Sequence, residues 1–202
     1  MKIGVLRAKK GKPLRKRATE LRQTPPPIAL SVRQPWAWAI IHGGKDVENR
    51  SLGAIRSGNM DCRRIAVHAA TGLTQDEYDW GVWRLDRHGV ACPRPDALVR
   101  GAIIGSVNVV GIVTESESDW FGGRAGLLLR DPSPCPPIPA AGALGYFTWE
   151  RAKDFAAVKP WMRSWGAAEG GLFETLPTQF KNPPARPWPK DPRDTASDEE
   201  DP

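Results

Sequence analysis

The stretch IALSVRQPWAWAIIHGGKDVENR, residues 28–50, decides the fold. It reads as strand, helix and strand in quick succession. Ala29, Leu30, Ser31 and Val32 form a short, mostly apolar run. Gln34-Pro35 breaks it, since proline already holds a helical φ and has no N–H to lose at a first helical position. Trp36 to Ile41 is almost wholly apolar, as expected of a helix buried on nearly every side. Gly43-Gly44 then offers the left-handed exit that helices favour. Lys45 to Arg50 is expected to resume as a strand dense in charge. Strand side chains alternate, which predicts Asp46, Glu48 and Arg50 on one side and Val47 and Asn49 on the other. Glu48 and Arg50 would then stand about 7 Å apart at their Cα atoms, within reach of each other's heads. Lys45, at the turn out of the helix, is free to swing to that side. Such a cluster reads either as a solvated edge with weak surface ion pairs or as a ligand site, and residue types alone leave both open.

These residues also carry a resemblance. Ser31, Gln34, Pro35, Trp36 and Ala37, a short apolar helix, then Gly44, Lys45, Val47, Glu48 and Arg50 resemble the opening of the ASCH family, named for activating signal cointegrator homology. Three later blocks follow in the family's order: RIAVHAATG at 64–72, GAIIGSVNVVGIV at 101–113 and PIPAAGALGYFTW at 137–149. The resemblance implies an α+β fold: a small mixed β-barrel of the PUA-like superfamily at 28–150, with a short helix after the first strand and a peripheral helix. The tails lie outside the resemblance; charge, proline content and apolar spacing divide the rest into a basic disordered arm at 1–27, a helical extension packed on the barrel at 151–180 and a disordered, proline-rich acidic tail at 181–202.

PUA-like barrels mostly handle RNA or modified bases in a cleft beside the first helix, so the resemblance implies a nucleic-acid or nucleoside partner. The candidate ligand-binding residues are Ser31, Gln34, Trp36, Lys45, Glu48, Arg50, His68 and Trp120. Lys45 suits a phosphate or a base carbonyl, and burial is expected to lower its pKa. Glu48 suits an exocyclic amine, oriented by a pair with Arg50. Ser31 and Gln34 stand at the strand-to-helix junction, where backbone N–H groups bind anions. His68 ends a strand expected beside the first. Trp36 either stacks on a base or fills the core. Trp120, with Phe121 on a glycine-hinged loop, either stacks on a flat ligand or folds back as a lid.

Some small ASCH-like proteins are amidohydrolases that remove the acyl group from acetylated cytidine, which implies a second reading. There a lysine in the place of Lys45 activates the nucleophile or water, and a hydroxyl occupies the place of Glu48. With Glu48 here, the catalytic candidates become Glu48 as general base on water and Lys45 as stabiliser of the oxyanion. A protein-interaction role in transcription or translation is the third reading.

Charge is unevenly placed. Residues 1–24 hold nine Lys/Arg against Glu20 alone, residues 181–202 sum to −2, and the middle is neutral, within a total of +6. The arm, with Lys9, Lys10, Arg15, Lys16 and Arg17, is too poor in apolar residues to fold alone. It reads as a phosphate-attracting segment or as a solubilising one. TPPP at 24–27 separates it from the barrel.

Cys62, Cys92 and Cys135 are odd in number and lack C-x-x-C spacing, which argues against a disulfide framework or a zinc site. No cofactor or metal is expected. Neither a signal peptide nor a membrane-length apolar run is visible, so a cytoplasmic protein is expected.

Further along, residues 51–63 read as a loop and Ile65 to Ala69 as a buried strand. Thr74 to Arg87 reads as a helix opened by a T-x-x-E capping box, with Tyr78, Val82 and Leu85 (Trp83 beside them) as its core stripe. Ala102 to Thr114 and Gly126 to Leu129 read as strands, and Pro132 to Pro139 as a proline-rich connection. Tyr146 to Trp149 is expected to close the barrel. Residues 150–159 are expected to be helical, with Trp161 and Trp165 on one face of a second short helix after Pro160.

Overall fold

The computed structural model describes residues 24–166. The opening stretch folds as strand β1 (Ile28–Val32), helix α1 (Trp36–His42) and strand β2 (Val47–Asn49). A helix of seven residues has no stability of its own in water, so packing must hold it. It buries Trp36, Ala37, Ala39, Ile40 and Ile41, and fully burying one isoleucine side chain contributes about 1.5–3 kcal/mol. Gly43 closes the helix by donating its N–H to Ala39 O at 2.8 Å. Gly44 makes the left-handed step, with φ at +72°.

The remaining elements are α2 (Leu52–Ser57), β3 (Arg64–Ala69), α3 (Gln75–Asp86), β4 (Ala102–Val113), β5 (Gly126–Pro139), β6 (Tyr146–Thr148) and α4 (Pro160–Ser164). The strands form one mixed sheet in the order β2-β5-β4-β3-β1-β6. Among the described residues only β1 and β3 run parallel, with Ala29 opposite Ala66 and Val32 opposite Ala69. The main core lies where α1 meets the sheet and includes Leu30, Val32, Ile40, Ile41, Val67 and Leu127.

The sheet is not closed. Among the described residues β2 and β6 remain its two edges, so Tyr146 to Thr148 pairs with β1 without completing a barrel. Each edge strand is three residues long, and other elements bridge the gap between them. Helix α2 follows β2 at once, and the Tyr146 N–H donates to Gly58 O at its end, at 2.9 Å. Arg50, just past β2, reaches the backbone of β1 and donates from Nη2 to Ser31 O at 2.7 Å.

Three local expectations need correction. Residues 51–63 contain α2, started by Ser51, whose Oγ accepts the Ala54 N–H at 3.1 Å. The prolines after Leu129 belong to β5. Strand β2 pairs only with Gly126–Leu128, so beyond that point the outer side of β5 carries no ladder, and proline is tolerated on an edge. Residues 150–159 form no helix. Their amides reach outward, Ala152 N–H to Pro139 O at 2.8 Å and Ala156 N–H to Arg100 O at 3.0 Å. The side chain of Arg100 fixes the same segment by donating to Thr71 O and Ala157 O.

Helix α3 begins with both halves of its capping box, Thr74 and Glu77, in place. Tyr78, Val82 and Leu85 are buried as expected. Gly81 costs helix propensity, but a Cβ there would lie 2.2 Å from Pro35 Cγ, so its absence lets α3 press against the entrance to α1. The two tryptophans of the α4 region, Trp161 and Trp165, both meet Tyr78, at ring-centroid distances of 6.2 and 5.0 Å.

Candidate functional site

Helix α1 and the turn after it carry Lys45 inward, and β2 places Glu48 beside it. The two residues are only 6% and 8% exposed. Lys45 Nζ lies 3.2 Å from Glu48 Oε2, and Arg50 Nη2 lies 3.1 Å from Glu48 Oε1. Lys45 also donates to Val47 O. Two cations thus share one carboxylate, and burial holds the Lys45 ammonium below its ordinary pKa, partly offset by Glu48. Each Glu48 oxygen keeps a second lone pair that can accept one N–H from a ligand.

This ionic floor opens on a cavity of about 310 Å³, lined by Trp36, Lys45, Glu48, Asn49, Trp80, Arg84, Trp120 and Gly122. That volume is at the lower end of small-molecule sites. Three indoles form its walls. Trp36 comes from α1 and is both a core residue and a wall. Trp120 is 9% exposed, folded back onto the core, and stacks on His88 with centroids 3.9 Å apart and planes 16° apart. Burial and the nearby Arg84 lower the pKa of His88. Asn49 fixes the loop that carries Trp120: its Nδ2 donates to Trp120 O and its Oδ1 accepts the Gly122 N–H, both at 2.9 Å. Arg84 donates to Asp119 O on the same loop.

Of the eight expected ligand-binding residues, Trp36, Lys45, Glu48 and Trp120 meet at the cavity. Arg50 stands behind Glu48 and off the lining, with its Nε buried and unpartnered. Ser31 and His68 form a separate pair: Ser31 Oγ lies 3.0 Å from His68 Nδ1, and His68 Nε2 lies 3.0 Å from Ala140 O. A carbonyl only accepts, so Nε2 carries the proton and Nδ1 accepts from the serine. Gln34 is structural. It donates from Nε2 to Val99 O at 2.8 Å and accepts the Trp38 N–H at 3.0 Å. The Ala37 and Ala39 amides are also taken, by Arg33 O and Pro35 O. The junction therefore does not present the open anion-binding amides expected there.

Asp46 does not join Glu48 and Arg50 on one face. It precedes the paired residues of β2 and turns to Arg130, at 3.4 Å, and to Ser118, which donates to it. Lys45 borders a second hollow of about 160 Å³ on this side, with Asp46, Leu129 and Arg130. The phosphate-binding candidates Lys9, Lys10, Arg15, Lys16 and Arg17 lie outside the described residues.

Asn49, Trp80, Arg84 and Gly122 were not singled out from sequence. Trp80 and Arg84 stand four apart on α3, which places them on one helical face, and that spacing was the available signal. Trp83, read with the core stripe, belongs to none of the buried apolar clusters.

The chain matches no protein-family model and no curated protein. Among the described residues no helix is long and apolar enough to cross a membrane.

Proposed function

We propose that this protein is an ASCH-like, PUA-like module that holds one base of a nucleic acid, RNA foremost, in the cavity walled by Trp36, Trp80 and Trp120. One observation carries the reading: a buried ion network, Lys45–Glu48–Arg50, opens on a pocket whose walls are aromatic. Flat indoles suit the faces of a base, and the floor suits its edge. Glu48 accepts from an exocyclic amine or ring N–H, Lys45 donates to a carbonyl or phosphate, and Arg50 fixes the carboxylate from behind. The basic arm, 1–24, adds phosphate attraction that weakens with salt. The open sheet is consistent with a barrel-like arrangement in which α2 stands between the two edge strands. A cytoplasmic location belongs to the same proposal.

The test is a panel of free nucleosides, modified ones included, titrated against wild type and Lys45→Met in the full chain. Saturable binding that weakens at least about tenfold in the variant supports the reading, as expected for losing a hydrogen bond to a charged group. Equal affinities, or no binding of any nucleoside or of any short oligonucleotide carrying one, overturn it.

A second reading, hydrolysis of an acylated cytidine, is favoured by a carboxylate and an ammonium group standing 3.2 Å apart at the cavity wall, Glu48 and Lys45. Water would add to the acyl carbon as Glu48 takes its proton, with Lys45 facing the oxyanion. The C–N bond would then break as that proton passes to the leaving amine, releasing carboxylic acid and cytidine. Both Glu48 oxygens are already engaged by cations, so the geometry favours holding a base over activating water. Release of cytidine from acetylated cytidine, lost in Lys45→Met, would reverse that order.

A further inference from the structure

Helix α3 carries a second group of aromatic and cationic side chains that leads away from the cavity. Trp80, a cavity wall, stacks on Trp83 with ring centroids 4.8 Å apart and planes 25° apart. The guanidinium of Arg87 lies 5.3 Å over the Trp83 ring. Positions 80, 83, 84 and 87 follow the i, i+3, i+4, i+7 spacing of one helical face. Among the described residues Trp83 is half-buried and packs into none of the apolar clusters, so the core formed by those residues does not explain its position. Arg87 is exposed, and Arg84, next to Trp83 in sequence, lines the cavity with Trp80. Stacked rings continuing a pocket wall, with guanidinium groups alongside, are the combination by which proteins track single strands: bases on the rings, phosphates on the arginines.

We propose that the Trp83–Arg87 platform binds the nucleotide next to the one held in the cavity, so that the ligand is a single strand and not a free nucleoside. This rests on the base-holding reading above and deepens it. Trp80 links the two subsites, since it lines the cavity and its ring stacks on that of Trp83. Asp119 and Asp86 add negative charge nearby, so the arginines serve as local phosphate contacts within a mixed surface. A flanking base displaces the exposed Arg87 from the Trp83 ring or stacks on the guanidinium itself.

The test uses the full chain, the four free nucleosides and the four homotrinucleotides as RNA and as DNA, with affinities compared base by base. A trinucleotide with base-free sugars at both flanks separates stacking from phosphate attraction, including that of the basic arm. The expected result is a trinucleotide bound at least about tenfold more tightly than its nucleoside, with most of the gain lost in the base-free version. Trp83→Ala and Arg87→Ala are expected to remove that gain while the nucleoside affinity holds, so the ratio of the two affinities is the readout. A purely structural role for Trp83 would weaken both ligands together and leave the ratio unchanged, which overturns the proposal. Nucleosides binding as well as trinucleotides would overturn it too and leave the base-holding reading standing. No binding of any nucleoside or trinucleotide sinks both.

Discussion

Two buried polar networks lie side by side and do different things. In one, Lys45, Glu48 and Arg50 surround a carboxylate at the edge of a cavity of about 310 Å³. In the other, Ser31, His68 and Ala140 O form a closed chain of hydrogen bonds. There, a Cβ on Gly142 would lie 2.5 Å from His68 and 2.8 Å from Ser31 Oγ, which leaves no room for a ligand. Arg50 touches both networks, pairing with Glu48 and donating to Ser31 O. The comparison teaches that burial of polar groups does not by itself define a site. A network satisfied on all sides specifies the fold, and one with spare lone pairs facing empty space can specify a ligand.

The sharpest way to break that distinction is at Glu48. Glu48→Leu leaves the buried Lys45 and the half-buried Arg50 without their anion, and loss of one partner of a buried pair costs about 3–5 kcal/mol. Chemical denaturation should show a drop of that size. A change under about 1 kcal/mol would mean that Lys45 and Arg50 are solvated and the network is superficial. Gly142→Ala comes next. Its methyl group forces His68 or Ser31 aside, with an expected loss of about 1–3 kcal/mol and unchanged nucleoside affinity. If binding fell with stability, the two networks would be one functional unit.

Lys45→Met is expected to behave in the opposite way. Glu48 keeps Arg50 as a partner and the desolvation cost of a buried ammonium disappears, so stability should stay within about 1 kcal/mol of wild type. Ligand affinity is what should collapse. The smallest effect concerns pH. Burial lowers the pKa of His68 below its ordinary 6.5 despite the bond to Ala140 O. The unfolded chain therefore takes up the proton first as pH falls below 6.5, and stability is lost over that window down to the lowered folded value. His68→Asn removes this contribution, so the stability difference between variant and wild type should shift in favour of the variant on acidification. A difference independent of pH between 7 and 5 would show that His68 titrates alike in both states.

Much of this was legible because it is local. The break at Gln34-Pro35, the apolar run from Trp36 and the strand after Gly44 fix α1 and β2 within one stretch, and the Thr74–Glu77 capping box fixes the start of α3. Glu48 lies on β2 and Arg50 one residue past its end, so their meeting follows from a near-extended spacing of two residues. What escaped the sequence depends on distant partners. The prolines of β5 are tolerated because β2 is too short to cover that strand, and nothing near residue 132 says so. Residues 150–159 have helical composition, but their amides find better acceptors on β5 and near Arg100. Trp80 and Arg84 become cavity residues only because Gly81 lets α3 dock against Pro35. The open sheet was not legible either, since Tyr146 to Thr148 pairs with β1 alone and the Tyr146 N–H goes to Gly58 O at the end of α2.

The most direct test of the central claim follows the indole N–H signals of the labelled full chain by NMR during titration with the nucleoside panel. The account predicts that Trp36, Trp80 and Trp120 shift together for the nucleoside that binds, that Trp161 and Trp165 stay still, and that Lys45→Met abolishes the response. Binding that leaves the three cavity indoles unmoved, or a response that persists in Lys45→Met, would contradict it.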